Sequence, residues 1–241
     1  MSIVFQKVSR LRERISFVFR VLNERGPTFF VRYFIESKWF DIRYGTSTSS
    51  RVPKEDQNLN GTEQERSNGL LYVASFTSVT KKTTAKVREL IGSDKFHNAQ
   101  FMDFGCGKGK ALLAFALSEG RNQTAPAIGI EYDAELSEMA KANLAKVGLG
   151  ADRCKVVCDS AANWQKYAER ETLIVYLYNS FQGETFDLVM ASLQSVPHFL
   201  IYVDPAERSK LEELGYSVLC ENEGKYHADT WLVAKSNSVT W

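Results

Sequence analysis

Apolar residues along this chain keep two different rhythms. Val4, Val8, Leu11, Ile15, Val18 and Leu22 recur at helical spacing, so residues 2–40 read as mostly helical, with a break at 23–27. Residues 45–69 are polar and turn-rich and hold almost no apolar periodicity, the mark of a long loop that is mobile or functional. From residue 99 onward short apolar runs, at 99–103, 127–131, 155–158, 173–178 and 199–203, alternate with helical stretches. That order calls for a parallel sheet with helices on both faces. Runs such as ETLIVYLYN, apolar without alternation, suit strands buried on both sides. Near the end, 216–221 and 230–235 flank a polar tip, NEGKYHA, and read as a hairpin.

The expected fold is therefore α/β: a doubly wound, mostly parallel seven-stranded sheet closed by an antiparallel C-terminal hairpin. It occupies one domain over residues 70–241, behind an N-terminal helical extension and polar lid-like loop over residues 1–69. A chain of 241 residues can bury one sizeable core and is short for two. Thirty Lys and Arg against 29 Asp and Glu leave a formal charge of +1, so no overall field draws the chain to nucleic acid or an anionic membrane. The first 44 residues are locally basic, nine cations against four anions, which reads as the solvated face of covering helices. No uncharged apolar run is long enough for a membrane span, and no signal-peptide order opens the chain. The four cysteines form no CxxC pair and no metal cluster with histidine, so no metal is expected. Reduced thiols in a cytoplasmic protein are the simplest reading.

The sharpest local signal is FMDFGCGKGKALLAFAL. A strand runs into Asp103, glycines follow at Gly105, Gly107 and Gly109, and a helix starts at once. Glycine lets a backbone turn tightly and approach a ligand with no Cβ in the way. A dinucleotide loop of the G-x-G-x-x-G kind would place a glycine where Lys110 stands. Two more acids end later strands: Glu131 in AIGIEYD, able to accept from both hydroxyls of a ribose, and Asp159 in KVVCDSA, able to accept from an adenine amino group. Asp103 is placed to meet a ligand's amino group. All three lie at carboxyl ends of parallel strands, where open α/β sheets bind ligands. A bulky residue at Gly105 is expected to abolish binding without unfolding the domain.

These residues resemble the class I S-adenosylmethionine-dependent methyltransferase superfamily over about residues 70–235. DFGCGKGK resembles its first motif, GIEYD the acidic motif after it, CDSA the adenine-contacting turn, and YLYNSF occupies the place of its fourth motif. The resemblance implies a Rossmann-like fold with an antiparallel last strand, S-adenosylmethionine as cofactor, and methyl transfer as the activity. FDIRYGTSTSSRV and NGLLYVASF are further similar to a largely uncharacterised bacterial group with an F-D-x-R-Y-G-x-x-T segment and a Y-x-P-S/T segment. That likeness implies that the polar loop and Tyr72–Ser75 help cover the cofactor; Ala74 stands where the group has proline.

In this superfamily the residues after the fourth strand face the methyl group, here Asn179, Ser180 and Phe181. The resemblance makes Asn179 the acceptor-positioning group and Phe181 the ring that packs on the acceptor. Both prolines of the nucleic-acid amino-methylating motif are missing. Protein or small-molecule acceptors are therefore favoured over nucleic acid, an amine or amide nitrogen among them, with a protein lysine as one example. Asp204–Pro205, a strand-end acid that could line the acceptor pocket, is read first as a helix start. His97 and His198 fall at the far ends of strands and His227 in the hairpin, where a surface role is expected, so no general base is evident. Two other readings stay open: a regulatory protein that binds the cofactor without catalysis, and a nicotinamide-dependent oxidoreductase.

Overall fold

The computed structural model describes residues 26–49 and 73–239. Tyr72, the rest of the polar loop and the apolar stripe of residues 4–22 lie outside the described residues. Seven strands form one sheet: β1 (Gln100–Phe104), β2 (Ala127–Glu131), β3 (Cys154–Cys158), β4 (Leu173–Tyr178), β5 (His198–Val203), β6 (Ser217–Asn222) and β7 (Trp231–Lys235). Their order is β3-β2-β1-β4-β5-β7-β6. The first five are parallel, with Asp103 opposite both Gly129 of β2 and Tyr176 of β4. β7 enters antiparallel between β5 and β6, Leu200 opposite Ala234, which completes the expected doubly wound sheet with its closing hairpin.

The direction of winding reverses between β1 and β4: the chain winds from β1 toward β3, then returns to build β4 and β5 on the other side. The crevice at such a switch point opens above the carboxyl ends of the strands. It is floored here by the glycine loop after β1 and the Asn179 turn after β4.

Both faces of the sheet are buried, as continuous apolar strands require. On β4, Ile174 and Tyr176 enter one core while Leu173, Val175 and Leu177 enter the other. The first face carries α2 (Thr77–Ile91), α3 (Ser93–Asn98), α4 (Lys110–Ser118) and α5 (Ala134–Lys146). Phe101 of β1 stacks on Phe115 of α4, centroids 3.9 Å apart. The second face carries the 3-10 segment Ala161–Tyr167, α6 (Gly183–Leu193) and α7 (Arg208–Glu213), gathered around Trp164, Phe186 and Tyr202.

Helix α2 was not evident from hydrophobic spacing. Its buried face holds Val79, Thr80, Thr83, Thr84, Val87 and Ile91. The threonines enter the core because each hydroxyl bonds a carbonyl of its own helix: Thr83 Oγ1 donates to Val79 O at 2.9 Å and Thr84 Oγ1 to Thr80 O at 2.8 Å.

A helix over residues 26–44, α1, lies across this domain. Its middle turn, Phe34–Trp39, is π-helical. Phe29 and Phe40 bury while Phe34 and Trp39 stay exposed, so the aromatic run at 29–44 packs on the domain along part of its length only. Among the described residues no helix is long and apolar enough to cross a membrane.

Candidate functional site

Gly105, Gly107 and Gly109 all adopt positive φ, at 72°, 53° and 78°. The loop they form is laid onto the end of β2, where the amides of Gly105 and Cys106 both donate to Ile130 O at 2.8 and 3.0 Å. Gly105 is required by close approach as well as by conformation. A Cβ there would stand 2.4 Å from Ser180 Cβ, so the glycine loop and the turn after β4 touch directly at the switch point. A side chain at Gly105 would thus collide with the fold itself, which corrects the expectation that a bulky residue there affects binding alone.

Glu131 ties the loop down. Its Oε2 accepts from Gly107 N–H at 2.7 Å and its Oε1 from Asp133 N–H at 3.0 Å. The side chain is 4% exposed, and burial raises its pKa to about 7 against the lowering effect of the Asp133 and Gly107 amides. The Tyr132 amide is a third backbone donor acting in the same lowering sense, which leaves the carboxyl room for one further donor.

Asp103 is the most unusual group in the crevice. It is 3% exposed, and its Oδ2 has no hydrogen-bond partner among the described residues. Burial, and next the neighbouring Glu131 carboxyl, push its pKa up to about 8. The Leu112 amide acts in the lowering sense on the same carboxyl, but the buried Oδ2 stays unmatched, which is costly to the fold, and its natural complement is a donor or cation supplied from outside.

Asp159 has a different surrounding. Ser160 N–H and Asn163 Nδ2 donate to Oδ1 at 2.8 and 2.7 Å, while Tyr167 OH and Lys166 Nζ reach Oδ2 at 2.6 and 3.3 Å. Burial would raise its pKa, but the bonds from Tyr167, Asn163, Ser160 and Lys166 hold it down to about 2. Four donors fill the lone-pair capacity of one carboxylate. Lys166, the longest contact and on a well-exposed side chain, is the one a ligand could displace.

Asn179 and Asp204, ending β4 and β5, are the two non-glycine residues with positive φ among those described, at 36° and 51°. Asn179 Nδ2 donates to Asp204 Oδ2 at 3.1 Å, and Asn179 Oδ1 accepts from Gln182 Nε2 at 3.1 Å. Asp204 therefore faces Asn179, in keeping with the pocket-lining reading of Asp204–Pro205 rather than with a side-chain helix cap. Phe181 is 6% exposed and belongs to the core on the α6 face. It holds the Asn179 turn against the sheet.

A cover lies over the loop that spacing alone could not supply. Asp41 on α1 accepts from Thr46 Oγ1, Thr48 N–H, Thr48 Oγ1 and Ser49 N–H at 2.7–2.9 Å, folding residues 46–49 into a compact turn. Ser47 N–H then donates to Asn143 Oδ1 of α5 at 2.9 Å, and Asn143 Nδ2 donates to Lys108 O at 3.1 Å. Lys110, first residue of α4 and 1% exposed, donates to Glu36 O and to Ser49 Oγ, the latter at 3.1 Å. Burial lowers its pKa to about 8, with Asp41 and Glu36 acting in the opposite sense. Glu36 also accepts from Thr77 Oγ1 and Ser78 N–H at the start of α2. The polar letters of FDIRYGTSTS were the visible signal for this cover; the buried lysine partners were not.

Among the described residues no cluster of three His, Cys, Asp or Glu is placed to hold a metal. No family model matches the sequence, and no curated protein matches it. Solved structures similar to this chain include a magnesium protoporphyrin IX methyltransferase from Synechocystis, at 15% identity over 86% of this chain and 96% of that one, TM-score 0.48. A tRNA methyltransferase from B. subtilis is similar at 17% identity over 65% of this chain and 66% of that one, TM-score 0.46. An rRNA methylase from Streptococcus thermophilus is similar at 11% identity over 64% of this chain and 93% of that one, TM-score 0.45.

Proposed function

We propose that the chain binds S-adenosylmethionine in the switch-point crevice and transfers its methyl group to an acceptor held beside Asn179. The observation that carries this reading is the buried Oδ2 of Asp103, without a partner among the described residues, at the head of a three-glycine cradle whose other wall is Glu131. An amino group is the complement Asp103 Oδ2 lacks, and a ribose hydroxyl suits the remaining acceptor capacity of Glu131. Asp159 would meet the adenine amino group in place of Lys166.

When bound, S-adenosylmethionine supplies a methyl group already activated on a sulfonium, so the protein's contribution is chiefly to position the acceptor in line and exclude water. Asn179 Oδ1 accepts one bond from Gln182 and keeps a lone pair with which to orient an acceptor N–H or O–H. Phe181 contributes by fixing that turn from below. The cover over residues 46–49, anchored on Lys110 and Asn143, closes the loop side of the crevice, and Tyr72 is proposed to extend it. A protein or small-molecule acceptor remains the proposed class.

Calorimetry with the full chain tests the reading. S-adenosylmethionine is expected to bind, NAD to be ignored, and Asp103→Asn to weaken binding at least tenfold while the domain stays folded. Binding of NAD in preference to S-adenosylmethionine would overturn it. A tight S-adenosylmethionine complex that transfers no label to any fraction of a cell extract would instead support the non-catalytic reading.

A further inference from the structure

The turns that end β4 and β5 hold a polar cluster on the acceptor side of the crevice, apart from the cofactor cradle. Asp204 joins it together: Oδ2 accepts from Asn179 Nδ2 at 3.1 Å, and Oδ1 lies 3.0 Å from His227 Nδ1. His227 sits between β6 and β7, far from Asn179 in sequence, and the antiparallel insertion of β7 beside β5 brings it to the same strand end.

Its position is fixed by three elements. Thr230 N–H donates to His227 O at 3.1 Å, and Asp204 N–H donates to Thr230 O at 2.8 Å, so the turn is pinned to the backbone of the residue its ring contacts. Gly224 closes the turn from the other side, where a Cβ would meet Asp229 Cβ at 2.2 Å. Arg32 of α1 grips both oxygens of Asp229 at 2.5 and 2.7 Å. The ring itself is open, its side chain 81% exposed. Asp204 bonds the ring directly; Tyr178 of β4 interacts with Asp204 and Asp229, Asp204 and Glu207 both act on Tyr202 of β5, and Lys225 and the Arg32–Asp229 pair lie on or against the same turn.

A histidine that donates Nδ1–H to a carboxylate presents a free Nε2 lone pair on its far side, and the carboxylate stabilises the imidazolium formed when Nε2 takes up a proton. Resting on the methyl-transfer reading above, we infer that His227, oriented by Asp204, is the general base of the acceptor site, and that the acceptor atom is a nitrogen or oxygen that must lose a proton. The acceptor's proton passes to His227 Nε2 and then to solvent. The acceptor's electron pair makes the new bond to the methyl carbon, and the pair of the broken methyl–sulfur bond stays on sulfur. The exposed ring agrees with the surface placement expected of His227; the proposed role is added to it.

Two measurements on the full chain test this. In alkaline solution, ring-nitrogen NMR is expected to show His227 as the Nδ1–H tautomer. Asp204→Gly, which suits the positive φ and removes the carboxylate, is expected to abolish that preference. Transfer of label from methyl-labelled S-adenosylmethionine into a fractionated extract is then followed across pH for the wild type and His227→Gln. The variant is expected to keep its S-adenosylmethionine affinity within threefold, to lose about 100-fold or more in transfer rate, and to lose the acid limb of the pH profile. An Nε2–H tautomer in the wild type overturns the inference, as does His227→Gln transferring within threefold of wild type. So does a wild type that binds S-adenosylmethionine and labels nothing. A wild type that binds no S-adenosylmethionine sinks the methyl-transfer reading itself.

Discussion

Gly105 packs against Ser180 so closely that a single methyl group is felt. A Cβ at 2.4 Å from Ser180 Cβ, on a backbone with φ of 72°, combines overpacking with left-handed strain. Gly105→Ala should cost about 2–4 kcal/mol, the sum of a packing part and a backbone part. Ser180→Gly in the same chain should return the packing part and leave about 1 kcal/mol of backbone strain. Urea titration of both single variants and the double variant checks this, and strictly additive effects would show that the two residues do not touch. The glycines were legible because only a tight loop before a helix calls for three of them in five residues. The roles of the acids were legible by position only. Asp103 and Asp159 each stand at or near a strand end, yet one keeps an orphaned oxygen and the other is fully bonded, because Tyr167 and Asn163 fold back onto Asp159 and nothing described reaches Asp103 Oδ2.

At the scale of elements, strands announced themselves by pattern, while the cover was legible only through the resemblance carried by FDIRYGTSTSSRV. Residues 173–178 are apolar at every position and could only be a doubly buried strand, whereas α2 hides its buried face behind three threonines whose hydroxyls its own backbone satisfies. The cover depends on one carboxylate. Asp41 accepts four bonds, and burial, which would raise its pKa, is outweighed by the bonds from Thr48, Thr46 and Ser49, which lower it. Asp41→Ala should free residues 46–49 locally without loosening the sheet. Amide exchange at Thr48 and Ser49 should rise on the order of 100-fold, as expected for losing about 2–3 kcal/mol of charge-assisted hydrogen bonding. Amides of β1 and β4 should be unchanged. Equal acceleration in the sheet would mean that the cover is integral to the core rather than laid over it.

Across the whole molecule, the sheet order creates the crevice and leaves three ionisable groups there whose protons are displaced from their ordinary ranges, and this couples stability to ligand binding. Asp103 and Glu131 have folded pKa values raised to about 8 and about 7. Their contribution to stability is complete below their ordinary values near pH 4 and is lost as pH rises through about 7–8. Lys110, lowered to about 8, acts in another window, its contribution being present above its ordinary value near 10.5 and lost as pH falls through about 8. For these three groups together, denaturation free energy should decline from acid to mildly alkaline pH and recover above it. Asp103→Asn should flatten the decline, and Lys110→Met the recovery. A ligand that needs the two carboxyls as acceptors must expel their protons. S-adenosylmethionine should therefore bind more tightly as pH rises from about 6 toward 7.5, by up to tenfold per unit for each proton released. The trend should reverse once the ligand's own amino group, with an ordinary pKa of about 8, loses the charge that Asp103 is proposed to meet. Calorimetry in buffers of different ionisation heats counts the protons directly. Proton release that falls by about one in Asp103→Asn would place that carboxyl against the ligand, and an unchanged count would remove it from the site.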